Sequence, residues 1–236
     1  MYRYETHMHT LPVSICAKTG VRQSLETYKA MGFDGVFITN HFIDGNISVD
    51  KDLPYARKLE FYFSDYEEAK ALEEELGIRV FLGVEMSYKG TDFLIYGLDK
   101  AWYLAHPEIE DMKKSEELKL LMEAGALVIQ AHPFREARYI DHIRLFPRYV
   151  HGVEVYNGCR TEFENRMALQ YADNYGLLHF AGTDNHKAGI DGTSDGLKPQ
   201  KRFGGMESET PIRDEADFIA KVLDGTMRPF SMELED

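Results

Sequence analysis

ETHMHT, residues 5–10, sets His7 and His9 two positions apart near the head of the chain. In a strand, residues i and i+2 point to the same face, so the pair aims two imidazoles into one space. Far downstream, AGTDNHK at residues 181–187 repeats the device with Asp184 and His186. Each pair reads as a metal clamp. Between them, further candidates close apolar runs: His41 after GVFITN, Glu85 after IRVFLGV and His132 after GALVIQA. Barrels of parallel strands build their sites at the C-terminal strand ends. His7, His9, His41, Glu85, His132, Asp184 and His186 are all expected at such ends.

Apolar runs alternate with helical patterns, the signature of βα units around a parallel sheet. Strands are expected at Arg3–Thr10, Gly35–Thr39, Ile78–Glu85, DFLIYGL after a turn at Lys89 and Gly90, ALVIQ, GVEVYN and LLHFAGTD. Helices are expected at Val21–Met31, Phe63–Leu76, Ser115–Glu123 and Glu162–Tyr175, stopped by Gly32, Gly77 and Gly176 where those follow. Arg138–Phe146 reads as a short helix or loop. Gly189–Gly205, rich in Gly, Asp and Lys, reads as a loop shaping the mouth of the site. The tail carries a helix, DEADFIAKVLDG, and a strand-like MRPFSM. The acidic residues of DYEEAKALEEEL are assigned to a solvated helix face.

The chain has 236 residues, 44% of them hydrophobic, which suits one α/β barrel domain spanning residues 1–236. A net charge of −13 argues against stable nucleic-acid binding, which needs clustered Lys and Arg. Cys16 and Cys159 form no CxxC pair and no disulfide framework, which suits a reducing compartment, so a cytoplasmic protein is expected. No basic segment followed by an apolar stretch opens the sequence, and no run approaches the roughly 20 apolar residues of a membrane span. A soluble protein is expected.

The remaining histidines read as structural. His106, in the other AHP, follows polar LDKAWYLA; His179 has the opposite strand parity to Asp184 and His186; His142 and His151 precede no ligand-like partner. Glu85 is costly to bury without a cation, and a metal supplies one. Glu154 either points inward to the site or pairs with a basic residue, with Asn157 the alternative contributor.

HMH, TNH, GVE, AHP and TDNH, in that order, resemble the PHP (polymerase and histidinol phosphatase) family of metal-dependent phosphoesterases, from about Tyr4 to about Phe230. The resemblance implies a distorted (β/α)7 barrel, TIM-like, with about two or three divalent ions, zinc, manganese or iron, at its C-terminal mouth. It also makes His7, His9, His41, Glu85, His132, Asp184 and His186 the ligands. The chain departs from the family where a further acidic or histidine ligand usually follows HxHT, having Leu11, Pro12, Val13 and Ser14 there. After Glu85, where many relatives have a histidine on the next strand, GTDFLIYG offers Asp92. For the usual later ligand, GVEVYNGC offers Glu154, Asn157 or Cys159.

A phosphate ester repels hydroxide. Two cations about 3.5–4 Å apart hold its oxygens, lower the pKa of bound water and stabilise the leaving oxygen. The expected reaction is attack of that hydroxide on phosphorus in a small phosphorylated substrate, a nucleotide or a sugar phosphate. His132 or His186 either supports the ligands or protonates the leaving group. Arg135, just after AHPF, is the expected phosphate contact, with Arg160 and Lys187 next. An amidohydrolase-type barrel also begins with HxH and ends with Asp, but typically uses a lysine where this chain has His41, Glu85 and His132. A non-catalytic metal-binding module is the other alternative.

Overall fold

The computed structural model describes residues 1–187 and 200–234. Its strands are β1 (Tyr2–Glu5), β2 (Gly35–Ile38), β3 (Arg79–Tyr88), β4 (Thr91–Tyr96), β5 (Leu127–Ala131), β6 (Gly152–Asn157), β7 (Leu178–Gly182), β8 (Arg202–Ser208) and β9 (Met227–Glu233). Its helices are α1 (Val21–Ala30), α2 (Tyr55–Leu76), α3 (Lys100–Ala105), α4 (Lys114–Glu123), α5 (Glu162–Tyr175) and α6 (Glu215–Leu223). The strands form one nine-stranded sheet in the order β7-β6-β5-β4-β3-β2-β1-β8-β9, which curls until β7 returns against β8 and β9.

The sheet is mixed. β1, β2, β3, β5, β6, β7 and β9 run one way, whereas β4 and β8 run against their neighbours. The expected distorted barrel is seen as a curled, barrel-like α/β sheet, whose nine strands with β4 and β8 reversed do not resolve into a simple count of seven βα units. β4 follows β3 by a tight hairpin through Lys89 and Gly90, both at positive φ, which leaves no room for a helix. β5 reaches β6 through an irregular segment that includes Arg138–Phe146.

Helix boundaries follow local chemistry. α5 opens on a capping box, with the Thr161 hydroxyl accepting from Glu164 N–H and the Glu164 carboxylate accepting from Thr161 N–H. Gly77 and Gly176 close α2 and α5 in the left-handed conformation that a side chain would strain. α2 begins at Tyr55, before the expected Phe63, because Leu59, Tyr62 and Phe63 recur at helical spacing and are all buried. β8 occupies part of the expected Gly189–Gly205 loop. Its Phe203 and Met206 are buried and its pairing with β1 supplies the order that composition obscured; residues 188–199 lie outside the described residues.

The inside of the curled sheet is an aromatic plug. Tyr4, Phe37, Phe81, Leu94, Tyr96, Ile129, Phe180 and Met206 come from seven of the strands, Leu94 and Tyr96 both from β4, and Phe218 and Val222 of α6 pack into them. Burying each large apolar side chain contributes roughly 1.5–3 kcal/mol. Strand alternation carries this face upward to chemistry: Phe81 and Gly83 share it with Glu85, and Leu94 and Tyr96 share it with Asp92.

Candidate metal centre

The mouth above the plug gathers every ligand candidate, though two expectations about how they get there need correction. β1 ends at Glu5, not Thr10, so His7 and His9 lie beyond it on an extended segment that a single bridge, Met8 to Asn185, ties to the downstream clamp. Glu85 lies inside β3, not at its end, with four ladder pairs around it from Val84↔Ile95 to Ser87↔Asp92. His132 and Asp184 do follow β5 and β7, each at positive φ, where the chain breaks from the strand and swings the side chain toward the others.

His7 Nε2 lies 3.1 Å from Glu85 Oε1, 3.3 Å from His9 Nε2 and 3.5 Å from Asp184 Oδ1. His9 Nε2 lies 3.4 Å from Glu85 Oε2 and 3.3 Å from Asp184 Oδ1, and His132 Nε2 is 3.4 Å from Glu85 Oε1. Three overlapping groups result: His7 with Glu85 and His132, His7 with His9 and Asp184, and His9 with His41 and His186. Tetrahedral ligands at about 2.1 Å from an ion stand about 3.4 Å from one another, so these separations match a coordination shell. Both oxygens of Glu85, Nε2 of His132 and Nδ1 of His41 are buried without a hydrogen bond, although His41 Nδ1 and Glu85 Oε2 are only 2.7 Å apart. Burying such lone pairs unsatisfied is costly, and a divalent cation would satisfy them together. The donor set of imidazoles and carboxylates fits zinc, manganese or iron.

Electrostatics point the same way. Burial would raise Glu85, but His41, His7 and His9 overrule it and hold its carboxyl well below the usual range. Burial likewise opposes the low pKa of Asp184, and His7, His9 and His186 outweigh it. Burial works against charge on His7, yet Glu154, Asp184 and Glu85 hold its imidazole well above the ordinary value. His9 goes the other way, pushed well below by burial and by His186 and His41.

The groups behind the ligands fix which nitrogen faces the centre. His7 Nδ1–H donates to Glu154 Oε1 at 2.9 Å, leaving Nε2 free; Glu154 Oε2 accepts from His132 N–H at 3.0 Å and Asn157 Nδ2 at 2.9 Å. Glu154 thus points inward, with Asn157 supporting it. His9 is oriented by a longer relay. Asn40 Nδ2 donates to Asp65 Oδ2 at 2.9 Å, so Asn40 Oδ1 accepts the Ser14 hydroxyl at 2.8 Å. The Ser14 oxygen is then left to accept from His41 N–H at 3.0 Å and from His9 Nδ1–H at 3.2 Å. Asp65 belongs to the acidic helix assigned wholly to solvent. It is buried, on the stripe that includes Leu59, Tyr62 and Ala69, and an acid on that stripe was the available signal. Glu5, also overlooked, is fully buried: it accepts from the N–H groups of Thr6, His7 and Thr183 at 2.9 Å each and from Tyr28 Oη at 2.6 Å. Burial pushes its carboxyl up to about 7.

Arginines rim the cluster. Arg135 Nη1 lies 3.5 Å from Asp92 Oδ2, Arg160 Nη2 lies 3.8 Å from Asp184 Oδ2, and both Nε atoms are buried without a partner. The histidines read as structural stay away: His106 stacks on Trp102, His151 Nδ1 accepts from Val128 N–H, and His142 and His179 pair with Asp141 and Asp173.

Comparison with solved structures now bears on the geometry. A two-domain protein of Bacteroides vulgatus, containing a predicted PHP-like metal-dependent phosphoesterase, superposes with a TM-score of 0.63 at 17% identity over 97% of this chain. The two share a fold. This chain spans 64% of that one. An amidohydrolase of Chromobacterium violaceum, with bound sulfate and no metal, superposes with a TM-score of 0.52 at 14% identity over 95% of this chain and 96% of that one. An uncharacterized protein of Methanocaldococcus jannaschii is 38% identical over 79 residues, 30% of this chain and 33% of that relative. No family model matches the chain. Among the described residues, no helix is long and apolar enough to cross a membrane.

Proposed function

We propose that the protein is a metal-dependent phosphoesterase acting on a small phosphorylated metabolite of the nucleotide or sugar phosphate class. The observation that carries this reading is the convergence of buried, unsatisfied imidazole and carboxylate lone pairs beside two arginines with unpaired Nε–H groups. Divalent ions bound there supply the charge that holds phosphoryl oxygens and activates water. His7, His9, His41, Glu85, His132, Asp184 and His186 would hold them.

The chain's own groups do the rest. Arg135 and Arg160 turn toward a cluster whose carboxylates they already approach, and their forks suit the oxygens of a phosphate. His186, the most exposed imidazole of the set, donates Nδ1–H to the Asp184 carbonyl at 2.8 Å, which leaves Nε2 for an ion and keeps it among the ligands. His132 is buried and stays with the ligands. The overall charge of −13 disfavours polyanionic partners such as nucleic acid, so selection of a small anion rests on the local arginines.

An amidohydrolase reading draws support from the Chromobacterium violaceum structure, although its sulfate is itself a tetrahedral oxyanion. The deciding experiment is hydrolysis of a panel of phosphomonoesters, phosphodiesters, amides and lactones by protein loaded with Mn²⁺, Zn²⁺ or Fe²⁺, beside a His9→Ala control. Turnover of phosphate esters that needs metal and disappears in the control is expected. Turnover confined to amides or lactones would replace the reading, and full metal occupancy without turnover of any substrate would favour a non-catalytic module.

A further inference from the structure

The His9, His41 and His186 group differs from the other two groups in one respect: it contributes no carboxylate of its own. An ion there would be held by three neutral imidazoles and, among the described residues, approached by oxygens of Glu85 and Asp184, which the neighbouring groups also use. Cys16 lies on this side. Its side chain interacts with both His186 and His41, and it is half-buried. His41, 8% exposed, turns an unpartnered Nδ1 into the same cluster.

The segment around Cys16 is pinned to the centre. Ile15 N–H donates to Asn46 O at 3.1 Å, Ala17 N–H to Ser14 O at 3.1 Å, and Lys18 N–H to His186 O at 2.6 Å. The same segment carries Ser14, whose oxygen orients His9 and holds the backbone of His41. Cys16 is therefore held near His41 and His186 by the loop whose Ser14 orients His9 and the backbone of His41. This is also the stretch, just past HTLPVS, where the sequence offers no carboxylate or histidine.

We propose that Cys16 is a direct metal ligand, a thiolate that completes the His9, His41 and His186 position with a sulfur donor. The inference rests on the metal-centre reading above but not on any substrate. Binding releases the thiol proton to solvent as the sulfur–metal bond forms, with no change of oxidation state. A sulfur among three nitrogens favours zinc or iron(II) at this position over manganese, while the positions that use Glu85 and Asp184 keep harder donors. The centre would then hold unlike ions.

Cobalt(II) tests this directly. The chelator-stripped full chain is loaded with Co²⁺, dialysed, and read for bound metal and for the near-ultraviolet sulfur-to-cobalt charge-transfer band, with Cys16→Ser, Cys16→Ala and Cys159→Ser alongside. The band is expected in the native protein and in Cys159→Ser, and absent from both Cys16 variants, which retain their folded circular-dichroism spectra and the cobalt bands of the remaining nitrogen and oxygen ligands. Bound cobalt without the band, or a band that survives in Cys16→Ser, overturns the proposal. Absence of bound cobalt overturns it together with the metal centre, and lack of phosphoesterase turnover leaves the spectroscopic result intact.

Discussion

Replacing Glu154 with glutamine separates orientation of a ligand from coordination itself. Glu154 touches no presumed ion. Its two oxygens receive three donors, His7 Nδ1–H at 2.9 Å, His132 N–H at 3.0 Å and Asn157 Nδ2–H at 2.9 Å. A glutamine amide has one acceptor oxygen and two donors. If that oxygen stays with His132 N–H and Asn157, the NH₂ group faces His7 Nδ1, and the imidazole must move its proton to Nε2, the atom aimed at Glu85 and Asp184. Loss of one charge-assisted hydrogen bond is worth about 1.5–3 kcal/mol. Loss of a carboxylate partner behind a metal-bound histidine typically weakens binding about 10–100-fold, or about 1.4–2.7 kcal/mol, in the same range. Titrating stripped Glu154→Gln with Zn²⁺ or Mn²⁺ against a chromogenic chelator should show that loss with an unchanged folded spectrum. An affinity indistinguishable from the native protein would refute the assignment of Glu154 to orienting His7.

Gly182→Ala places a Cβ 2.5 Å from His7 Cβ and 2.7 Å from Glu154 Oε1, so this variant should lose bound metal in elemental analysis even where it still folds. A divalent ion at 100 times its dissociation constant should add about 2.7 kcal/mol of stability, roughly 5–11 °C in Tm for a chain of this size, and a chelator should remove it in a thermal scan. Lys114 lies 2.7 Å from Glu117 and 3.0 Å from Asp44, so one cation serves two acids. Burial outweighs Lys114 and pushes the Glu117 carboxyl from 4.5 up to about 7. Between those values the folded chain holds a proton that the unfolded chain has lost, so stability falls as pH rises through that window and levels off above it. Glu117→Gln should flatten the fall by at most about 3 kcal/mol, read from urea midpoints across the window; an unchanged slope would count against it.

The sequence made the candidate metal centre more legible than the frame that builds it. Metal-type residues behind apolar runs point to His7, His9, His41, Glu85, His132, Asp184 and His186, and the structure brings them together. Terminal strand positions were less visible: Thr6–Thr10 alternates like a strand, but its backbone is taken by Asn185, Asn40 and Thr39 rather than by a ladder. β8 was hidden because Gly204 and Gly205 read as loop, whereas the neighbouring backbones of β1 and β7 approach so closely that only glycine fits, a Cβ on Gly205 standing 2.1 Å from Tyr4 O. The supporting acids, Glu5, Asp65 and Glu154, were the hardest to place. Glu5 and Asp65 stand among polar neighbours along the chain, with the buried stripe of α2 the one signal for Asp65, and Glu154, inside apolar GVEVYN, had two readings between which the tertiary hydrogen bonds decide.

The aromatic plug beneath the centre has a kinetic consequence. Among the described residues, Tyr4, Phe37, Phe81, Tyr96 and Phe180 fill the inside of the sheet with Phe218 seated among them, so the space below the ligands is occupied by side chains. Whatever reaches the cluster must withdraw on the side away from the plug. On the proposed phosphoesterase reading, an anion released there occupies the berth of the next molecule until it departs, so inorganic phosphate should compete with substrate and slow turnover as it accumulates.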